Sequence, residues 1–156
     1  MNDKPNLENF SWVEKNIIAG SSIPRSKEEF DFLINEGIRV IINLTEFPVF
    51  PKDKFTMDKF IFHQISIPDF TAPTIEQINE FKNLVEKYKE WNFPILVHCY
   101  AGCGRTGTFL ASYLMFSKQF KTYDEALIGL RKLRPCSVET ESQIIVLKQY
   151  ELQILK

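Results

Sequence analysis

Apolar residues along the chain fall into two patterns, short blocks and longer stretches recurring every three or four positions, and these predict strands and helices in alternation. Asn16–Gly20, Ile38–Leu44, Phe60–Ile67 and Phe93–Val97 read as strands, with Phe10–Glu14 leading into the first. Ile38–Leu44 is β-branched and apolar enough to lie centrally. Four hydroxyl residues stand three positions ahead of an acid or amide: Ser26 with Glu29, Thr74 with Gln77, Thr122 with Glu125 and Thr140 with Gln143. That spacing is a helix-capping signature. Behind it, Phe30, Leu33 and Ile34 form one apolar face, and Ile75, Ile78, Phe81, Leu84, Val85 and Tyr88 another. Gly37, Trp91-Asn92 and Arg134-Pro135 end three of these helices. Residues 106–119 are apolar almost all round, as in a helix buried at a domain centre. Residues 45–59 carry two prolines and no period, and read as a surface excursion with one short turn of helix.

This order predicts an α/β architecture of three layers, a central, mostly parallel sheet of four to five strands with helices on both faces. Residues 1–9 read as an N-terminal arm and 10–156 as one domain, which suits a chain of 156 residues. Hydrophobic residues at 44%, charged residues at 25% and a net charge of −1 exclude a nucleic-acid or membrane-surface partner as the expected reading. The polar start at Met1–Phe10 lacks a signal core, so the expected setting is the cytoplasm or the nucleus. Three cysteines, an odd number without ligand-like histidines, argue against a disulfide framework or a structural zinc site and suit a reducing compartment.

The chemistry concentrates in residues 93–108, FPILVHCYAGCGRTGT: an apolar strand, a glycine-studded loop and the start of a helix. Tyr100-Ala101-Gly102-Cys103-Gly104 can turn successive N–H groups inward as an anion nest, because its two glycines accept unusual backbone angles. The helix N-terminus behind it favours negative charge. Arg105 adds a planar fork that matches two phosphate oxygens. The same field favours thiolate over thiol at Cys99, placing it to attack phosphorus. A Walker-type loop is excluded, since no Gly-Lys-Ser/Thr closes this one. Thr106 can donate its hydroxyl to the Cys99 sulfur as that sulfur departs, besides capping the helix. His98 is expected to orient the loop rather than to act as a base, and His63 to be structural. The arrangement of His98, Cys99, five residues and Arg105-Thr106-Gly107 resembles the signature of the cysteine-dependent protein tyrosine phosphatase superfamily.

Displacing an alkoxide from phosphorus needs a proton donor that the loop does not supply. Asp69 is the best candidate: it follows a strand, lies in a loop bracketed by Pro68 and Pro73, and precedes Cys99 by 30 residues, so adjacent strands could bring the two together. Burial beside the anion site is the expected means of keeping it protonated. Asp53 and Asp58 are its competitors.

Phe10-Ser11-Trp12-Val13, Asn43-Leu44-Thr45-Glu46, Ile67-Pro68-Asp69-Phe70, the phosphate loop and Leu133–Thr140 together look like the small atypical dual-specificity phosphatases of the VHZ type. The resemblance implies the cysteine-phosphatase fold and a hydrolysis in two steps without metal or other cofactor. It makes Cys99 the nucleophile, Arg105 the clamp and Asp69 the acid. It also points to Glu139 and Gln143 as water-positioning residues, although first-turn capping explains them equally well. Cys103 departs from the pattern. It could trap an oxidised Cys99 as a reversible disulfide, with Cys136 the poorer partner. The expected substrates are phosphotyrosine and phosphoserine or phosphothreonine in proteins, acted on by a monomer with a shallow site. The uncharged Tyr100, Ala101 and Cys103 disfavour phosphoinositides and RNA 5′-triphosphates. A phosphate-binding module without activity and a persulfide sulfurtransferase are the rival readings.

Overall fold

Strands form where the apolar blocks predict them, but shorter: β1 Ser11–Glu14, β2 Ile18–Ser21, β3 Val40–Asn43, β4 Ile61–Gln64 and β5 Ile95–His98. The computed structural model describes residues 7–155. The strands make one sheet in the order β1-β2-β5-β3-β4, parallel except for the β1–β2 hairpin. β1 adds the fifth strand at an edge, and its four residues are all half-buried.

Period-two alternation sorts the side chains of the central strands between two layers. Ile18, Val40, Ile42, Ile95 and Val97 join one cluster; Ala19, Ile41 and Leu96 join the other. The smaller layer is built on Phe30 and Leu33 of α1 (Lys27–Asn35). The larger contains α3 (Ile75–Glu90), α4 (Gly104–Phe116), α5 (Tyr123–Leu133) and α6 (Glu141–Ile154). α4 runs through its middle, with Gly104 to Met115 all buried. A four-residue α2 (Lys54–Met57) is the one turn of helix in the surface excursion.

Ser26, Thr74 and Thr140 close reciprocal capping boxes with Glu29, Gln77 and Gln143, and Thr122 accepts from the N–H of Glu125. Three expectations need correction. Phe60–Ile67 is a strand only over β4, although Ile65 N–H still donates to Asn43 O and Ile67 N–H to Leu44 O. α4 begins at Gly104, two residues early, because the loop's last carbonyl already accepts a helical bond from Gly107. Residues 7–9, expected in an arm, are packed: Leu7 is fully buried and Glu8 O accepts from Ser22. Residues 1–6 of that arm lie outside the described residues.

Candidate active site

Every carbonyl from Cys99 to Cys103 is held by a donor from outside the cradle. His98 Nδ1 reaches Cys99 O (3.0 Å), Ile23 N–H reaches Tyr100 O (2.9 Å), Asn9 Nδ2 reaches Ala101 O (3.1 Å) and Arg134 reaches Gly102 O (2.6 Å). Cys103 O accepts from Gly107 and Val138 N–H. Pinning the carbonyls outward turns the peptide dipoles so that the N–H groups of Tyr100–Gly104 face the other way, and among the described residues none of them donates a hydrogen bond. Gly102 makes this possible, with φ at +81° and a site where an added Cβ would lie 2.5 Å from Ser21 O. Cys103, the residue before α4, has no side-chain cap bond, so the helix N-terminus opens into the same nest.

Cys99 directly follows β5 as a free thiol, 3% exposed. Arg105 is 4% exposed; one terminal nitrogen donates to Ile67 O (2.9 Å), the other lies 3.1 Å from Asp69 Oδ1, and Nε has no partner. Asp69 therefore lies beside Arg105, and not by the expected route of adjacent strands. β3 separates β4 from β5, and the bonds Leu44 N–H to His98 O and Ile67 N–H to Leu44 O carry the acid loop across it. The expected burial of Asp69 is absent: its side chain is 53% exposed. Phe70 after it takes φ +63°, and its N–H donates back to Asp69 Oδ1. The competitors are spoken for elsewhere. Asp53 caps α2 through both donors of Thr56, which hold its carboxyl below the usual range, and Asp58 pairs with Lys54.

Thr106 is fully buried at the start of α4 with its hydroxyl unpartnered. His98 is fully buried; because a carbonyl only accepts, Nδ1 carries the hydrogen and Nε2 is left unpartnered. Burial first, and then the Arg105 charge, push it down to about 4, so it is neutral at physiological pH. His63 lies apart, its Nε2 2.6 Å from Tyr88 Oη. Glu139 and Gln143 flank the loop, since a Cβ on Gly104 would meet Glu139 Oε1 at 2.7 Å and Gln143 Nε2 at 3.0 Å. The Gln143 amide accepts from Glu139 and Thr140 N–H and donates to Thr71 O, tying the acid loop to α6. Just before Glu139, Val138 is held at φ +69°, a strained conformation for a β-branched residue.

Two residues of the cradle escape sequence reasoning. Arg134, fully buried, donates to Asn9 O, Ser11 Oγ, Gly20 O and Gly102 O. Burial pulls it down to about 10 against the opposing charge of Cys99, so it remains a cation behind the loop. Its place before Pro135 marks a helix end and hides this use. Asn9 carries no sequence signal, yet its amide serves two loop carbonyls. The expected cysteine chemistry is also overturned: Cys103 is joined to Cys136, not poised to reach Cys99, because Val138 N–H and Asn9 bring the 136–138 turn against the α4 N-terminus.

Residues 7–146 match the family model described as PTP-SAK, the Swiss Army Knife protein DSP-PTPase phosphatase domain. Dual specificity protein phosphatase CDC14B of Mus musculus is 36% identical over 120 residues, 76% of this chain and 24% of that protein. Protein tyrosine phosphatase domain-containing protein 1 of Mus musculus is 26% identical over 160 residues, 90% of this chain and 21% of that protein. The chain thus spans about a quarter or less of these relatives' length. Among solved structures, Tk-PTP in its active form aligns with a TM-score of 0.82 at 31% identity, covering 93% of this chain and 97% of that one. PTPMT1 in complex with PI(5)P aligns with the same score at 21% identity over 95% and 97%, which speaks for a shared fold. Matched along nearly its whole described length and carrying the cradle that the motif predicts, the chain belongs to the dual-specificity and tyrosine phosphatases of the PTP-SAK family.

Proposed function

We propose that the protein hydrolyses phosphotyrosine and phosphoserine or phosphothreonine in protein substrates through a phosphocysteine intermediate. The observation that carries this reading is the outward pinning of the loop carbonyls around a free Cys99, with Arg105 and Asp69 facing the same point. The N–H groups of Tyr100, Ala101, Gly102, Cys103 and Gly104 and the Arg105 fork hold the equatorial oxygens of the phosphoryl group, where charge is greatest in the transition state. The Cys99 thiolate attacks phosphorus in line, and the departing oxygen takes its proton from Asp69. Asp69 next accepts a proton from the water that attacks the phosphocysteine. Thr106 donates to the sulfur as the S–P bond breaks, while Glu139 and Gln143 position the water. His98 and Arg134 act through the loop they hold. The half-exposed Asp69 and exposed Tyr100 suit a shallow mouth open to more than one phosphoresidue.

A phosphoinositide substrate is the second reading, suggested by the ligand in the PTPMT1 structure. Tyr100, Ala101 and Cys103 bring no cation to a second phosphate, so the phosphoprotein reading is preferred. The proposed setting is cytoplasmic, where a thiolate nucleophile survives; cell fractionation tests that. The chemistry is tested by phosphate release from phosphotyrosyl, phosphothreonyl and phosphoinositide substrates in excess chelator, beside Cys99→Ser. Turnover on the phosphopeptides that survives chelation and vanishes in the variant is expected. Phosphate binding without turnover on any substrate would instead make the chain a binding module.

A further inference from the structure

Cys103 and Cys136 are joined with their Cα atoms 5.2 Å apart, although 33 positions separate them in sequence. The bond links the N-cap of α4, the last residue of the phosphate loop, to the turn between α5 and α6. We propose that this pair is a reversible thiol–disulfide exchange site, opened by small-molecule thiols, that sets the firmness of the phosphate loop while sparing Cys99.

Access decides which sulfur is attacked. Cys136 is exposed and Cys103 only half so, whereas Cys99 is buried and outside the bond. A small thiolate therefore meets Cys136 Sγ first, forms a mixed disulfide there and expels Cys103 as thiolate. A second thiolate attacks the mixed disulfide, releasing Cys136 and a small-molecule disulfide. Two electrons pass from the two small thiols to the protein; one of their protons ends on Cys136 and the other on solvent, leaving Cys103 as thiolate. Cys103 is the better leaving group because it stands at a helix N-terminus that favours negative charge. Asn9 Nδ2 lies 3.7 Å from its sulfur and 3.4 Å from that of Cys136. The reverse reaction, with the small disulfide as oxidant, closes the pair.

The state of the pair bears on the cradle in two ways. While closed, it fixes the residue whose backbone ends the anion nest and keeps a sulfur four positions from Cys99 out of that residue's reach. Once open, the Arg134 bond to Gly102 O and the Val138 bond to Cys103 O still position the loop. The N-cap then loses its covalent tie, and a Cys103 thiolate adds negative charge beside an anion site. Reduction is thus expected to weaken substrate binding more than the chemical step.

The kinetic part rests on the phosphatase reading; the covalent part does not. The full chain is equilibrated across ratios of reduced to oxidised glutathione, alkylated and mapped, with melting temperature and phosphotyrosyl-peptide kinetics measured in parallel. Expected are a Cys103–Cys136 crosslink with Cys99 alkylated, a melting temperature several degrees higher in the oxidised form, and a severalfold rise in KM on reduction with a smaller change in kcat. Cys136→Ser should behave as reduced protein at every ratio, and the reduced parent provides the same comparison without a substitution. No crosslink at any ratio, a crosslink through Cys99, a redox response retained by Cys136→Ser, or a crosslink that moves neither melting temperature nor KM overturns the proposal. If the protein turns over no phosphopeptide, the phosphatase reading fails while mapping and melting still decide the exchange site.

Discussion

α4 and α6 are nearly equal in length, 13 and 14 residues, and their N-termini adjoin across Gly104, yet they begin in opposite ways. Thr140 is extended (φ −121°, ψ 157°), its hydroxyl takes the N–H of Gln143, and Gln143 returns a bond. Cys103 is not extended (φ −106°, ψ −73°) and no side chain caps α4. The other helices of the described chain are all capped by Ser, Thr or Asp. A sequence that caps every other helix and leaves this one open has reserved its N–H donors for an anion that the chain does not supply.

The sharpest way to break that comparison is to blunt the open end. Arg105→Lys keeps the charge but loses the planar fork, and turnover of a phosphotyrosyl peptide should fall by about 10³-fold with the circular dichroism spectrum unchanged. Next in size, Asp69→Asn should lower kcat by about 10²-fold for alkyl phosphates and less for aryl phosphates, whose leaving groups need the proton less. An equal loss on both would remove Asp69 from the role of acid.

The third test uses pH on the histidine beneath the loop. His98 sits near 4 in the folded protein against an ordinary 6.5, so between those values the unfolded chain takes up a proton that the folded chain refuses. Its neutral form therefore costs nothing above pH 6.5, and stability falls as pH drops below it. By pH 5 the loss should reach about 2 kcal/mol in denaturant titrations, and His98→Asn should flatten that part of the profile. The smallest effect belongs to the closed end. Thr140→Ala should cost about 1 kcal/mol, or about 2–4 °C of melting temperature, and change kcat less than twofold.

The two ends differ just as much in how far the sequence announces them. Thr140 with Gln143, and the other hydroxyl-led starts, are local chemistry, so the helices they open are legible to within a residue or two. Cys99, Arg105 and the glycines are legible for the same reason: one contiguous loop carries its own chemistry. What turns the loop's dipoles inward is not local. Asn9 and Arg134 come from 93 positions before and 32 positions after Gly102, as their bonds to the loop carbonyls show. Asp69 stands out in the sequence through its loop, but the path to Arg105 crosses β3, and strand order is set by packing rather than by proximity in sequence. The Cys103–Cys136 pairing fails to show for a similar reason. Spacing favours Cys99 as the partner of Cys103, while the fold buries Cys99 at the end of β5 and delivers Cys136 instead.

The Asp69–Arg105 pair has a kinetic meaning beyond its place in the chemistry. In the free protein the clamp already holds an anion of its own, a carboxylate on a short tether. In the proposed hydrolysis incoming phosphate would displace it and departing phosphate would be replaced by it, which would make Asp69 a built-in product competitor. On that proposal the site would give up some ground-state affinity and gain faster release of inorganic phosphate at the end of each cycle.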